Sequence, residues 1–200
     1  MQAELDRVVI SGARRGKEFT YALFDERVPP SPTRDRDEAL YDLARRYFAT
    51  RGPATAHDFA WWSGLSVSEA KRGIERAHLA RETEDGRTYW SVPARRSARR
   101  WSRIAHLLPN FDEYFVGFKD RSAFAARLAG VVTKVRFDAL MGHVLFVDGQ
   151  IVGRWSRTFG KTAKIQVRLL LKLTPPEHAL VRRAVQRFGQ FLSMPVRARG

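Results

Sequence analysis

The chain has 200 residues, 44% of them hydrophobic and 12% aromatic, which suffices for one large or two small cores and excludes global disorder. It contains no cysteine, so disulfide frameworks, thiolate zinc sites and cysteine nucleophiles are excluded as well. With 36 Lys and Arg against 21 Asp and Glu, the formal charge is +15; such an excess draws polyanions through steering and counterion release, and nucleic acid is the partner expected from it, ahead of a membrane surface or an acidic protein.

No apolar run reaches the roughly 18 residues of a membrane span; the longest, around Leu169 to Leu173, is interrupted by Lys172. No membrane partner is therefore expected. The opening MQAELDRVVI lacks the basic, apolar and small-residue order of a secretory signal, which makes the cytoplasm, at the nucleoid, the expected location. His57, His78, His106, His143 and His178 are scattered, with no pair at helical i, i+4 spacing. Neither a metal site nor a cofactor is expected from them.

Along the chain, Leu5 to Ile10 and Phe19 to Phe24 read as two strands joined by SGARRGKE, whose Arg14, Arg15 and Lys17 form a cationic tip. VPPSPTRDRD follows as a proline-rich linker. From Asp37, the spacing of Leu40, Leu43, Ala44, Tyr47 and Phe48 predicts a helix that Gly52-Pro53 ends. TAHD (Thr55 to Asp58) and SVSE (Ser66 to Glu69) are capping boxes that open two short helices joined at Gly64. The second presents Lys71, Arg72 and Arg76. Leu79 to Thr83 and Thr88 to Val92 then flank Asp85-Gly86, a two-residue hairpin signal beside Arg87. Helix, helix-turn-helix and hairpin, in that order, describe a winged helix, in which the second helix of the turn enters the major groove and the hairpin touches the backbone.

PARRSARRWSR carries Arg95, Arg96, Arg99, Arg100 and Arg103 without an intervening acid, a footprint of the kind phosphate contacts need. LLPNFDEYFVGFKDRS (Leu107 to Ser122) gathers Asp112, Glu113 and Asp120 among aromatic residues. Its alternation predicts a strand through Phe111 and Phe118, which puts Asp112 and Glu113 on opposite faces and rules out a carboxylate pair. Asp112 is the one catalytic candidate, as a water-activating carboxylate. The competing structural role has Asp112 or Asp120 pairing with an arginine at a domain junction. His143 to Val147 and Ile151 to Thr158 bracket another hairpin at Asp148-Gly149, and Ala163 to Lys172 is a further strand. TPPE (Thr174 to Glu177) opens a final helix that turns Leu180, Ala184, Val185, Phe188 and Leu192 inward. The fold class is α+β. Residues 1–35 form an orphan wing-like hairpin and linker, 36–94 a winged helix-turn-helix domain, 95–103 a basic linker, and 104–200 a small barrel-like α+β domain.

RYFATRGPATAHDFAWWSGL (Arg46 to Leu65), LLPNFDEYFVGFKDRS, LFVDGQIVGRWSRTFGK (Leu145 to Lys161) and RRGKEFTYALFDERVP (Arg14 to Pro29) resemble segments of the bacterial winged-helix DNA-binding proteins. That family includes the glycosylases that unhook interstrand crosslinks and excise alkylated bases. The resemblance implies tandem winged helices followed by a small barrel around a DNA channel. Full members are nearly twice as long, so it also implies that this chain matches a C-terminal half and that its first hairpin is a wing without its body. The glycosylases' Gln-hydrophobic-Gln or Gln-hydrophobic-Asp motif lies in their N-terminal half. Gln2, Gln150, Gln166, Gln186 and Gln190 form no such motif, and no catalytic residue is carried over. The expected function is thus that of a DNA-binding winged-helix protein related to repair glycosylases and without their N-terminal catalytic motif. Two alternatives stand beside it: part of an active glycosylase for alkylated or crosslinked DNA, and an interaction module or homodimer formed through an exposed sheet edge.

Overall fold

The computed structural model describes residues 2–93, 103–129 and 143–199, with side chains to residue 197. Residues Met1–Ala39 and Leu40–Gly200 form two compact units.

In the first unit, a one-turn helix α1 (Gln2–Leu5) precedes the antiparallel strands β1 (Val9–Ser11) and β2 (Tyr21–Leu23), paired Val9 to Leu23, and a second one-turn helix α2 (Phe24–Arg27). The strand expected from Leu5 is therefore shorter. Gln2 donates its side-chain amide to Asp6 at 3.0 Å, and the Asp6 and Val8 N–H groups bond back to Gln2 and Ala3. This winds the segment, and extension begins only after Arg7, at φ 58°.

The second unit is built on α3 (Arg36–Arg51), from Leu40 onwards, α4 (Ala56–Ser63) and α5 (Val67–Arg76). Ala44, Tyr47 and Phe48 of α3 meet Phe59 and Ala60 of α4 and Ala70 and Ile74 of α5 in one core. The rings of Tyr47, Phe48 and Phe59 lie 5.0–5.6 Å apart, centroid to centroid, and each buried aromatic contributes roughly 2–3 kcal/mol. Both capping boxes form: Thr55 and Asp58 exchange bonds at the start of α4, and Ser66 and Glu69 at the start of α5. A Cβ on Gly73 would lie 2.8 Å from the Leu40 carbonyl oxygen, so glycine sets how closely α5 crosses α3. The hairpin of β3 (Ala80–Glu84) and β4 (Arg87–Ser91) turns at Asp85-Gly86. Paired backbone bonds between Ala54 and Trp90 tie it to the connection between α3 and α4.

Beyond this lies a curled five-stranded half-barrel sheet in the order β5 (Ala105–Leu108), β6 (Val144–Val147), β7 (Gln150–Thr158), β8 (Ala163–Leu169) and β9 (Val196–Arg199). Neighbours are antiparallel except β8 and β9, which run parallel because the helix α7 (Pro175–Leu192) carries the chain back between them. A bulge in β7 puts Gly153 where a Cβ would meet the Arg168 carbonyl at 2.5 Å; no larger residue fits there. One face of the sheet packs Leu145, Val147, Val152 and Ile165 under Val181, Ala184 and Val185 of α7. Over β6 the other face is covered by a one-turn helix α6 (Glu113–Val116) and a 3-10 segment, Ser122–Leu128, which bury Val144, Phe146 and Ile151.

The strand expected through Phe111 and Phe118 is thus corrected. Extension stops at Leu108, Phe111 adopts φ 55°, and Asp112 caps α6 by accepting the Tyr114 N–H. Buried Phe115 packs on the sheet and half-buried Phe118 on the helical core, so the apparent alternation reflects two cores and not one strand.

Glu177, 4% exposed, fastens the start of α7. It accepts the Thr174 N–H at 2.8 Å and hydroxyl at 3.0 Å, and bonds from Arg127 at 2.7 Å and Arg103 at 3.5 Å. The Thr174 N–H is the main force holding its carboxyl down from 4.5 to about 2, against the cost of burial, with Arg127 adding to it. Its ionised form therefore stabilises the fold fully above the unfolded value of 4.5, and that support is lost as pH falls towards about 2. Glu177→Gln is expected to cost about 2 kcal/mol near neutral pH. Urea unfolding at stepped pH should show the two proteins converging on acidification across that window.

Candidate nucleic-acid interface

Asp58 sits in the first turn of α4 and is 3% exposed. Its Oδ2 accepts the Thr55 N–H at 2.9 Å and hydroxyl at 2.6 Å, which completes the capping box. Its Oδ1 accepts the N–H groups of Lys119 at 2.9 Å and Asp120 at 3.1 Å. One carboxylate therefore both starts a helix and holds a segment some sixty residues away. Four further hydrogen bonds follow the same seam. The Tyr47 hydroxyl donates to the Gly117 carbonyl at 3.0 Å, Trp61 Nε1 to the Val116 carbonyl at 3.2 Å, and Glu113 accepts both Trp62 Nε1 at 3.0 Å and Arg51 Nη2 at 2.5 Å. Burial first, then the nearby Asp58 charge, raises the Tyr47 pKa, so its hydroxyl keeps the proton it donates.

This seam places Lys119 and Asp120 across from α5 and the β3–β4 hairpin, leaving a groove of about 660 Å³. Its walls include His57, Lys71, Arg87, Thr88, Trp90 and Lys119. Asp120 is paired with Arg87 and accepts the Ser122 N–H at 2.9 Å. Burial works against its charge, but Ser122 and Arg87 outweigh that and lower its pKa. Tyr89 first, and then Asp120, raise the pKa of the Arg87 guanidinium. Both acids on the groove are thus engaged within the protein, while Lys71 and Lys119 extend the cationic rim. Cations on a concave rim are the chemistry that phosphate contacts use.

Of the residues singled out by sequence, Lys71, Arg72 and Arg76 are exposed on α5, and Lys71 and Arg87 come together in the groove. Arg14, Arg15 and Lys17 are exposed between β1 and β2, in the other compact unit. There the Arg14 guanidinium stacks 4.4 Å from the Phe19 ring centroid. Arg95, Arg96, Arg99 and Arg100 lie outside the described residues. Asp112 caps α6 and does not line the groove. The acids of LLPNFDEYFVGFKDRS thus part company: Asp112 serves a helix end, Glu113 faces Arg51 and Asp120 faces Arg87. Sequence reasoning missed His57, Asp58 and Lys119 as groove residues. TAHD did mark the acid at position 58, yet a capping box reveals only its local bonds and not the two N–H groups it takes from afar.

The family model described as DNA glycosylase AlkZ-like matches residues 1–191. The fold is similar to that of Streptomyces sahachiroi DNA glycosylase AlkZ, with a TM-score of 0.69 and 20% identity over 96% of this chain. The chain spans 55% of the length of that protein. No curated protein matches the sequence.

Asp58→Ala would strand two buried N–H groups and undo the capping box. It is expected to lower stability by about 2–4 kcal/mol in urea unfolding. Asp120→Ala removes a pair whose partners are 55% and 40% exposed, together with the acceptor of the Ser122 N–H, and should cost clearly less than Asp58→Ala in the same measurement.

Proposed function

This chain belongs to the AlkZ-like DNA glycosylase family, and from that membership we propose that it grips duplex DNA as a winged-helix protein related to the DNA-repair glycosylases. In this reading α3 to α5 and the β3–β4 hairpin are the winged helix, α5 is its recognition helix, and the half-barrel sheet is a second domain. The observation that carries it is the groove between α5 and the hairpin, rimmed by Lys71, Arg87 and Lys119. Duplex phosphates entering there meet Lys71 and Lys119, whereas the carboxylates of Asp58 and Asp120 are already bonded, the latter to Arg87.

Within these 200 residues the proposed role is recognition rather than base excision. Excision needs a group that positions water at the anomeric carbon of an extruded nucleotide. The five glutamines of the sequence form no Gln-hydrophobic-Gln or Gln-hydrophobic-Asp motif, and Asp112 is committed to capping a helix.

Fluorescence anisotropy with a labelled duplex of about 20 base pairs tests the grip. The dissociation constant should rise about a hundredfold between roughly 50 and 200 mM salt, as displacement of about four counterions requires. Lys71→Gln combined with Arg72→Gln and Arg76→Gln should weaken binding at least about tenfold. Absence of measurable duplex affinity at both salt concentrations would falsify the proposal.

A further inference from the structure

Charge is segregated sharply in the last quarter of the chain. After Asp148 the sequence holds a single acid, Glu177, against eleven Lys and Arg, and Glu177 is engaged by Arg103 and Arg127. The sheet sorts these cations by register. In β7 and β8, Trp155 and Ile165 point to the face that α7 covers, and the alternate residues point the other way. Strand pairing sets Arg154 directly opposite Arg168, Ser156 opposite Gln166, Thr158 opposite Lys164, and Lys164 beside Arg197 of β9. All seven are exposed. This is a continuation of the face that α6 and the 3-10 segment cover over β6, where Val144 pairs with Arg154. Among the described residues, no ion pair reaches Arg154, Lys164, Arg168 or Arg197.

Such an arrangement is unfavourable in a free sheet. Like charges placed directly across two strands sit about 5 Å apart at Cβ and destabilise the pair. Here that occurs at Arg154–Arg168 and again between Lys164 and Arg197. A polyanion on the face converts both repulsions into attraction. The hydroxyl and amide groups of Ser156, Thr158 and Gln166 between the cations supply the neutral contacts that phosphate oxygens take from proteins. From Arg168 to Lys164 the row runs about 13 Å, the rise of about four phosphates along one DNA strand.

We propose that the uncovered face of β7, β8 and β9 is a second phosphate-binding surface for duplex DNA, separate from the groove between α5 and the hairpin. It rests on the reading that the chain binds duplex DNA, and it names a region whose residues are the sheet's own.

Anisotropy titrations of the same labelled duplex over a series of salt concentrations test it on the full chain. Arg154→Gln with Arg168→Gln should weaken binding at least about tenfold and reduce the log–log salt slope by about 2, near 0.9 for each phosphate no longer neutralised. Arg182→Gln with Arg183→Gln, an equal charge change on exposed positions of α7, should leave the slope unchanged. Because the sheet pair is mutually repulsive, its double variant should unfold at a temperature no lower than wild type, which separates weakened binding from a damaged fold. Wild-type binding with an unaltered slope in the sheet variant, or equal weakening in both variants, overturns this inference alone. Loss of poly-glutamate binding with duplex affinity intact would assign the face to an acidic protein and overturn it too. Failure of the wild type to bind duplex at any salt concentration removes the reading beneath it.

Discussion

The second compact unit depends on one buried carboxylate. Removing Asp58 from water costs several kcal/mol unless its oxygens find donors, and here they find four: two in its own helix turn and two in the segment after α6. Because the oxygens are divided between a local and a distant partner, the acid that starts α4 also docks that segment. Tyr47, Trp61, Trp62 and Arg51 reinforce the seam with donors of their own. The positions of Lys119 and Asp120 on the groove follow from this bonding rather than from the chain's local preference.

The same economy governs charge across the unit. Most acids that could dilute the positive field at the groove and under α7 are consumed internally: Asp58 by backbone, Asp120 by Arg87, Glu113 by Arg51 and Glu177 by Arg127 and Arg103. These pairs orient arginines and fix element ends while adding little to exposed negative charge. What faces solvent on the sheet is then cationic without a long basic run in the sequence, since Arg154, Lys164 and Arg168 come from two strands.

Local chemistry made much of the fold legible. Capping boxes announced α4, α5 and α7 at their first residues, and Asp85-Gly86 and Asp148-Gly149 marked hairpins that form. Elements without such a signal were lost. β9 is four residues, VRAR, whose pairing partner β8 lies more than twenty-five positions earlier, and nothing in its own composition requests a parallel neighbour. The segment through Phe111 and Phe118 looked alternating because its aromatics serve two cores: Phe118 packs on the helices and Phe115 on the sheet. Of the groove, the cations on α5 and β4 could be read from periodicity and a turn. Lys119 could not, because its place depends on hydrogen bonds across sixty-one positions.

The span of those bonds has a kinetic meaning. The helices α3 to α5 and the hairpins β3–β4 and β6–β7–β8 close through neighbours in sequence, whereas Tyr47 reaches Gly117 over seventy positions and Asp58 reaches Lys119 over sixty-one. Contacts of such separation carry the largest loop-closure entropy and are made after the local ones reward the chain. The groove's far wall is therefore among the last parts of the unit to exist. A chain in which those bonds are not yet made, however cationic, presents no assembled cleft.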